Sequence, residues 1–248
     1  MLSKDTKTKF YGRRQGKKIR QPRVNLLKNL LPQIAINKNS LKDTIDINNL
    51  FSFKPEQLWL EVGFGGGEHT SEQALNNPKT AIIASEVFVN GIASLLAHLA
   101  GTHSDGTILD DESCSLETRR SDNVRIFPDD VRLLFPFLPD ACFDRIFVLF
   151  PDPWPKKRHA LRRFIGPDNL PELRRLLKVG GELRVASDDM NYIRWSLEHL
   201  NKNPYFEWLA TNHLDWKTPP KDWVQTRYEQ KALSKGDKPV YLRFQKKS

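Results

Sequence analysis

The sequence predicts an α/β fold in which helices cover both faces of a doubly wound, mostly parallel sheet. Three observations favour this fold class. Short apolar runs alternate along the chain with stretches of helical periodicity. Glycines and other turn-forming residues bound those runs. With 248 residues, the chain is long enough for one large domain with a sizeable core.

Five apolar runs predict strands, and helical patterns lie between them. The strands are expected at 58–62, 81–85, 124–127, 145–150 and 182–187, and the helices at 68–75, 89–100, 168–177 and 190–200. The C-terminal part changes character, since residues 206–210 and 240–244 predict two further strands that form an antiparallel edge pair. Residues 101–123 show no periodicity and are expected to form an exposed surface insertion.

The charge of the chain is concentrated at its N-terminal end. The formal net charge is +9, and residues 1–28 hold ten basic side chains against one acidic one, whereas the remaining 220 residues carry 29 of each sign. We therefore expect a basic, partly disordered arm at 1–24, followed by a single domain at 25–248. Concentrated cations indicate nucleic-acid contact, so Arg13 and Arg14 are predicted to bind RNA. A solubilising tail is the alternative and is favoured for 1–9, and an organelle-targeting segment is a weaker alternative.

Composition excludes several classes of protein. The 14 Phe and 6 Trp residues argue against a disordered chain. No apolar run approaches the roughly 18 residues that a membrane span needs, and no apolar stretch follows the basic N-terminus as in a secretory signal. Cys114 and Cys142 form neither a disulfide framework nor a C-x-x-C pair, which is typical of the reducing cytoplasm. The histidines are scattered without ligand spacing, so no metal is expected.

A glycine-rich segment, Glu61-Val62-Gly63-Phe64-Gly65-Gly66-Gly67, follows the first predicted strand and opens a helix. Glycines at such a turn let the backbone approach a ligand closely, which makes Gly63 and Gly65 candidate cofactor contacts. The dinucleotide fingerprint would need glycine at position 68, where this chain has a glutamate that disfavours a pyrophosphate. The G-K-[ST] of a Walker A motif does not follow either. The segment therefore argues against a dinucleotide and against a nucleoside triphosphate.

Acidic residues end three successive predicted strands. Glu61 precedes the glycines, where it can meet an ammonium or sulfonium group, and Glu86 ends the second strand, where it can accept hydrogen bonds from both ribose hydroxyls. Asp129 and Asp130 follow the third strand, where either can accept from an adenine amino group. Together these acids match S-adenosylmethionine as the cofactor. The alternative is that the glycines only turn the chain and the acids only cap helices.

Three prolines in five residues follow the fourth predicted strand, in the segment 150–155 (Phe-Pro-Asp-Pro-Trp-Pro). Proline fixes the backbone, so Asp152 and Trp154 are expected to be held rigidly at the edge of the sheet. A rigid acid beside an aromatic ring suits a planar base, because the ring stacks and the carboxylate accepts from base N–H groups. Residues 156–163 then hold five Lys and Arg and no acid, a pattern that can bind phosphates. The alternative is a proline-rich turn followed by a solvated basic helix start.

This segment resembles the signature of the bacterial tRNA (guanine-N7)-methyltransferases, in which Phe-Pro-Asp-Pro-Trp is followed by Lys and Arg-His. Residues 61–65 are similar to the family's cofactor motif, 186–188 (Ala-Ser-Asp) to its substrate-binding segment, and 226–229 (Thr-Arg-Tyr-Glu) to its C-terminal element. The resemblance spans roughly residues 10–246 and departs at 101–123, where the family has a shorter connection. It implies a Rossmann-like, seven-stranded, mostly parallel sheet with an antiparallel C-terminal edge strand.

The resemblance also implies a role for each matching residue. It implies cofactor contacts from Glu61, Glu86 and Asp130, with Asp129 as the alternative, and a catalytic site at Asp152, which also lies near the cofactor. Substrate contacts are implied for Lys156, Asp188, Thr226, Arg227, Tyr228 and Glu229, and RNA contacts for Arg158, His159, Arg162 and Arg163. The implied substrate is tRNA, with guanine 46 of the variable loop as the expected target.

Methylation of guanine N7 needs no general base, because N7 carries an in-plane lone pair and no hydrogen. Asp152 is therefore interpreted as a fixed carboxylate that accepts from the guanine N1–H and N2–H edge and stabilises positive charge on the purine. One rival is a methyltransferase for a small molecule or a protein, which would not need the basic arm. Another is an inactive RNA-binding protein, which would require damage to the acids or the glycines. We expect no membrane association, and either a monomer or a homodimer.

Overall fold

A seven-stranded sheet forms the centre of the structure, a computed structural model that describes residues 11–100 and 121–248. The strands are β1 (Gln57–Val62), β2 (Thr80–Ser85), β3 (Val124–Phe127), β4 (Phe143–Leu149), β5 (Leu177–Ser187), β6 (Phe206–Trp208) and β7 (Val240–Lys246). Their order in the sheet is β3-β2-β1-β4-β5-β7-β6. The first five strands pair in parallel, whereas β7 runs antiparallel to both β5 and β6. The predicted fold class is confirmed.

Helices lie on both faces of this sheet. They are α1 (Gln21–Asn29), α2 (Leu31–Ile34), α3 (Glu68–Asn76), α4 (Val89–Ala100), α5 (Leu170–Leu176), α6 (Met190–Lys202), α7 (Leu214–Lys217) and α8 (Arg227–Ser234). Short 3-10 helices span Lys38–Ser40, Ile47–Leu50, Val131–Leu133, Phe135–Phe137 and Lys157–Arg162. Apolar side chains of α1, α3 and α4 pack on one face, and those of α5 and α6 pack on the other. The sheet is therefore covered as its alternating elements predict.

Local sequence signals explain several helix starts. Proline stands in the first turn of both α1 and α5, where its missing N–H has no helical partner to lose. The Asp189 side chain accepts a hydrogen bond from the Tyr192 N–H and caps α6. Thr226 caps α8 in the same way, because its hydroxyl accepts from the Glu229 N–H. The first cap follows the predicted site residue Asp188 directly, and the second fixes the helix whose first turn carries Arg227, Tyr228 and Glu229.

Two features of the sheet differ from the predicted boundaries. Strand β5 begins at Leu177, five residues before the expected start at 182, and Gly180 within it has a φ of 79°. The register between β4 and β5 shifts in this stretch, so the irregularity absorbs the extra residues. In addition, β7 lies between β5 and β6, so the antiparallel C-terminal strand is not itself the outermost one. The three-residue β6 takes the edge, which leaves little unpaired backbone exposed.

The described part of the N-terminal arm lies against the domain. Helix α1 begins at Gln21, so the boundary expected at residue 24 falls inside it. Upstream of this helix, the Val89 N–H donates to the Arg14 carbonyl over 2.9 Å. The Gly16 N–H donates to Asn90 over 2.8 Å, and the Asn90 amide donates to the Lys17 carbonyl over 2.7 Å. Residues 14–17 therefore follow the first turn of α4, at the carboxyl edge of the sheet.

Two predicted features lie wholly or mostly outside the described residues. These are the first ten residues of the arm and positions 101–120 of the expected insertion. Where the described chain resumes, Asn123 is buried and its amide donates to the carbonyls of Ala74, Asn77 and Thr80 over 2.7–3.1 Å. Within residues 11–100 and 121–248, no helix combines the length and the apolar composition that crossing a membrane requires.

The strand order reverses between β1 and β4, which are neighbours in the sheet. In open α/β sheets the loops that follow two such strands diverge to opposite faces and leave a crevice at the carboxyl edge, where ligands bind. Here the loop after β1 is the glycine-rich segment and the loop after β4 is the proline-rich one. The topology therefore brings both sequence motifs to one crevice.

Candidate active site

The glycine-rich loop after β1 turns through the left-handed region of backbone conformation. Gly63 has a φ of 67° and Gly65 a φ of 59°, values that side chains with a Cβ rarely adopt. A Cβ on Gly65 would lie 2.6 Å from a ring carbon of Tyr228, so the first residues of α8 pack directly on this loop. A Cβ on Gly63 would meet no atom within 4 Å. The loop is thus covered on one side and open at Gly63, where a ligand can approach the backbone.

Glu86, which follows β2, connects the turn after that strand to the glycine-rich loop through hydrogen bonds of its carboxylate. One carboxylate oxygen accepts from the Gly65 N–H over 2.8 Å, and the other accepts from the N–H groups of Val87 and Phe88 over 2.7 and 2.9 Å. Burial raises the pKa of Glu86 above its ordinary value, these donors oppose that rise, and the charge of Asp152 adds to it. Strands β2 and β4 lie on either side of β1, so Glu86 and Asp152 follow strands that end at the same edge of the sheet.

Glu61, at the end of β1, lies beneath the glycine loop. Only 3% of its surface is exposed, and its carboxylate accepts from His69 Nδ1 over 2.9 Å and from the Thr70 hydroxyl over 2.6 Å. Both partners belong to the first turn of α3. A carboxylate at a helix N-terminus is stabilised by the helix dipole. Glu61 therefore joins β1 to α3 and adds negative charge to the cradle, the concave region formed by the glycine-rich loop and the ends of β1 and β2.

The two acids after β3 have different partners. Asp130 is buried, and its carboxylate accepts from the Arg132 guanidinium over 2.5–3.1 Å and from the Arg132 N–H over 3.0 Å. Asp129 is half-buried and pairs with Arg14 of the arm and with Lys38, over 3.2 and 3.3 Å. Although burial raises the pKa of Asp129, the Asp130 N–H and the two cations lower it below its ordinary value overall. Asp130 thus pairs within its own turn, whereas Asp129 binds the arm through Arg14.

The proline-rich loop after β4 is strained at both ends. Phe150 and Trp154 have φ values of 48° and 45°, although neither is a glycine. Such conformations cost about 1–3 kcal/mol each and persist where the surrounding structure enforces them, often at functional sites. Asp152 lies between these two residues with its side chain exposed at the crevice. The loop therefore holds one solvent-accessible carboxylate in a fixed position.

The basic segment after this loop divides into surface and buried side chains. Lys156 and Arg158 are exposed, and His159 is half-buried against the Trp154 ring, 5.8 Å between centroids. Desolvation and the neighbouring cations lower the pKa of His159. The Arg162 guanidinium lies 3.9 Å from the centre of the Tyr11 ring, which belongs to the arm. This contact joins two basic segments through residues that lie 151 positions apart in the sequence.

Arg163 does not share the surface position of its neighbours. The prediction of an RNA contact for Arg163 is at odds with its burial, since only 8% of the residue is exposed. Its guanidinium instead donates to backbone carbonyls of the proline-rich loop, with the Pro153 oxygen 2.8 Å from Nε. The physical reason is that prolines remove N–H groups from the loop and leave carbonyls that need a donor.

The C-terminal motif lies over the cradle and is anchored inside the fold. Glu229 is 2% exposed, and its carboxylate accepts from the Trp223 indole over 2.7 Å and from the Tyr241 hydroxyl over 2.5 Å. These bonds attach α8 both to the segment before it and to β7. Because both oxygens already have partners within the protein, Glu229 holds the motif in place rather than facing the crevice.

The two residues that precede Glu229 reach the glycine loop. Arg227 pairs with Glu68, the first residue of α3, and donates to the Ser94 hydroxyl of α4 over 3.2 Å. Burial and the negative charge of Glu86 raise the pKa of Tyr228, whose ring lies on Gly65. The pairing of Arg227 with Glu68 has no local sequence signal, since 159 positions separate the two residues. Sequence reasoning missed it for that reason.

Asp188 completes the group of predicted site residues at the carboxyl edge. It follows β5 directly and is exposed, whereas the next residue, Asp189, is used as the cap of α6. The structure therefore brings Glu61, Gly63, Gly65, Glu86, Asp130, Asp152, Asp188 and Thr226–Glu229 to the ends of adjacent strands. Within the described part of the chain, no three His, Cys, Asp or Glu side chains are arranged to hold a metal ion.

This chain is similar to known methyltransferases over most of its length. A family model described as "Putative methyltransferase" matches residues 55–242. A tRNA (guanine-N(7)-)-methyltransferase of Rhodospirillum rubrum is 47% identical over 241 residues, which cover 96% of this chain and 88% of that relative. An enzyme of the same name from Paramagnetospirillum magneticum is 45% identical, covering 97% of this chain and 93% of the relative.

Among solved structures, the 16S rRNA methyltransferase KamB matches with a TM-score of 0.53 at 14% identity, covering 84% of this chain and 96% of that chain. At that identity the likeness concerns the fold alone. The sequence relatives carry the assignment, because their identity extends over nearly the whole chain. This chain belongs to the tRNA (guanine-N7)-methyltransferase family.

Proposed function

We propose that this protein transfers a methyl group from S-adenosylmethionine to N7 of a guanine in tRNA. The observation that carries the proposal is the position of Asp152, an exposed carboxylate on a strained loop at the strand-order reversal. The names of the relatives supply the substrate class. We further propose guanine 46 of the variable loop as the target and the cytoplasm as the place of action.

The residues of the cradle fit S-adenosylmethionine. Gly63 lies open to a ligand, Glu86 has carboxylate oxygens placed for ribose hydroxyls, and Asp130 follows β3 where an adenine amino group would be met. The buried charge of Glu61 favours the cationic end of the molecule. When bound, this cofactor supplies an electrophilic methyl carbon on a sulfonium and keeps the electron pair of the broken bond.

The protein's part in the reaction is positioning and electrostatic stabilisation. Guanine N7 already presents a lone pair, so no side chain has to remove a proton before methyl transfer. Asp152 holds the guanine by accepting from N1–H and N2–H, and its charge stabilises the positive charge that the purine acquires. Asp188 lies at the end of the next strand and shares the binding of the base.

The remaining predicted contacts form the substrate side of the crevice. Lys156, Thr226, Arg227 and Tyr228 are proposed to contact the substrate, with Glu229 holding that segment over the cradle. A surface formed by Arg13, Arg14, Arg158, His159 and Arg162 is proposed to bind the tRNA backbone. It is continuous because Arg162 stacks on Tyr11 of the arm. RNA binding by such a surface is dominated by phosphates and weakens with salt.

The test is methyl transfer from labelled S-adenosylmethionine to unmodified bulk tRNA, with the product nucleoside identified by mass spectrometry. We expect the product to be 7-methylguanosine. We also expect no label to be incorporated into a transcript in which guanine 46 is replaced by adenine. Transfer to a different nucleoside would contradict the assigned target atom. Cofactor binding without transfer to any tRNA would favour a methyltransferase for a small molecule or a protein.

A further inference from the structure

We propose that Arg163 is a positioning residue that holds the Asp152 loop in its reactive shape and joins it to the start of α6. This assignment rests on the proposed function, because the loop matters through the carboxylate that it presents. It also separates Arg163 from the RNA-binding surface, to which its place in a run of basic residues would assign it.

Three hydrogen bonds define the position of the guanidinium. Nε donates to the Pro153 carbonyl over 2.8 Å, Nη2 to the Trp154 carbonyl over 3.3 Å, and Nη1 to the Asn191 carbonyl over 3.5 Å. The first two acceptors follow Asp152 directly, and the third lies in the first turn of α6, three residues after Asp188. A single side chain therefore links the loop that carries Asp152 to the first turn of α6, which begins two residues after Asp188.

The surroundings of Arg163 hold its charge in place. The guanidinium lies 5.2 Å from the centre of the Trp195 ring, whose indole N–H is bound to the Ile165 carbonyl over 2.6 Å. Among residues 11–100 and 121–248, no carboxylate forms an ion pair with it, so backbone carbonyls satisfy this buried cation. Moving the guanidinium out to a phosphate would break these bonds and leave loop carbonyls without donors, at a cost in free energy.

The chemistry of the side chain matters as well as its charge. A guanidinium is planar and offers five donors in a fixed fork, whereas an ammonium is a compact point charge on a flexible stem. Only the fork reaches two successive carbonyls of the loop and a third on α6. Because Phe150 and Trp154 are held in strained conformations, loss of the fork allows the loop to relax and Asp152 to move.

The experiment compares Arg163→Lys with Arg158→Ala in the full chain. Arg163→Lys keeps the positive charge and removes the fork. We expect its kcat for tRNA methylation to fall by about 10- to 100-fold, since small displacements of a reacting group have effects of this size. We expect the dissociation constant for S-adenosylmethionine, the dissociation constant for tRNA and its salt dependence to stay at the wild-type values.

Arg158→Ala is the contrasting variant, because Arg158 is exposed and belongs to the proposed RNA-binding surface. It should raise the dissociation constant for tRNA and reduce the slope of log K against log salt by about 0.7–0.9. If Arg163→Lys instead shows this pattern, or keeps the wild-type kcat, Arg163 is not a positioning residue. Circular dichroism and cofactor binding establish that each variant is folded.

A buried ammonium without its carbonyl partners is costly, so Arg163→Lys can fail to fold. In that case Arg163→Gln is measured in its place, because a neutral amide still donates to one carbonyl and carries no buried charge. The same fall in kcat with unchanged tRNA binding is expected. A wild-type protein that makes no 7-methylguanosine would overturn the proposed function and this assignment together, whereas an active wild type with a fully active Arg163→Gln overturns this assignment alone.

Discussion

Three carboxylates at the same edge of the sheet have different surroundings, and these surroundings determine the chemistry that each carboxylate can perform. Glu61 is buried and bonded to α3, Glu86 is half-buried and bonded to three N–H groups, and Asp152 is exposed on a rigid loop. The buried and half-buried acids organise the cofactor cradle. The exposed acid has oxygens accessible to a second molecule, which is why we assign the reaction to Asp152.

Replacing Asp152 by Asn tests that assignment with little change in shape. We expect kcat to fall by about 100-fold or more, because the charge that stabilises the purine cation is lost from a preorganised position. Single-turnover methylation at saturating tRNA and cofactor measures the effect. Asp140→Asn is the matched control, since Asp140 is exposed and pairs with Arg175 away from this edge. Full turnover by Asp152→Asn would remove Asp152 from the catalytic role.

The raised pKa of Glu86 predicts a pH dependence of cofactor binding. Ionised Glu86 accepts hydrogen bonds, so affinity for S-adenosylmethionine is full at neutral pH and falls as the carboxyl is protonated. Because burial raises the pKa of Glu86 above the ordinary 4.5, the loss should begin at a higher pH than for an exposed glutamate. Calorimetric titration from neutral pH down to 4.5 measures it.

Two variants accompany this titration. Glu86→Gln should bind the cofactor more weakly at neutral pH and show a flatter pH dependence, because the titrating group has been removed. Glu72→Gln, at an exposed position of α3, should keep the wild-type profile. An unchanged pH profile in Glu86→Gln would show that another group controls cofactor binding.

At the scale of elements, the position of α8 explains how a C-terminal segment takes part in a site built by the first strands. Its third residue, Glu229, is bonded to Trp223 and Tyr241, and its first two residues lie on the glycine loop. The helix is short, so tertiary contacts rather than helix propensity hold it. The buried carboxylate is therefore the anchor of the segment that we propose to bind the substrate.

Replacing Glu229 by Gln should weaken that anchor. An amide cannot accept at both positions, so a buried donor on Trp223 or Tyr241 is left without its partner, at a cost of about 1–3 kcal/mol in the free energy of unfolding. Urea denaturation followed by circular dichroism measures the loss. The exposed Glu72→Gln change is the control and should stay within about 0.5 kcal/mol of the wild type. A Glu229→Gln variant of wild-type stability would contradict the anchoring role.

On the scale of the whole molecule, the fold brings basic residues from two distant parts of the chain to the same edge of the sheet. The arm follows the carboxyl edge from the start of α4 to the Asp152 loop, where Tyr11 packs edge-on against Trp154 with 6.0 Å between ring centroids. Its cations are thereby placed beside those that follow the proline-rich loop. The two basic segments therefore lie side by side at the crevice, and positive charge concentrated in this way attracts nucleic acid.

Removing residues 1–18 tests the contribution of the arm. The deletion ends before α1, whose buried Leu26 packs against the domain, so the fold is expected to remain. The affinity for tRNA should decrease and its salt dependence should become flatter, because fewer phosphates are neutralised. Filter binding at several salt concentrations measures both quantities. An unchanged slope would exclude the arm from tRNA binding.

Much of this fold could be predicted from local patterns. Apolar periodicity located all seven strands and the helices α3, α4, α5 and α6, because burial on a sheet face or a helix stripe imposes a period on the sequence itself. The predicted site residues from β1 to β5 occupy one edge for a related reason, since parallel strands end at the same side of their sheet. These features depend on residues that are close along the chain or on the order of the elements.

The sequence by itself determined the sheet, the two loops of the crevice and the acids that line it. Only the tertiary structure decided that Arg163 is buried, that β7 enters between β5 and β6, that α8 lies on the glycine loop, and that the arm reaches Trp154. Each of these depends on contacts between residues far apart in the chain, for which no local period exists. The basic residues of 156–163 look alike in the sequence. In the folded protein, carbonyls of the proline-rich loop need hydrogen-bond donors, and Arg163 supplies them.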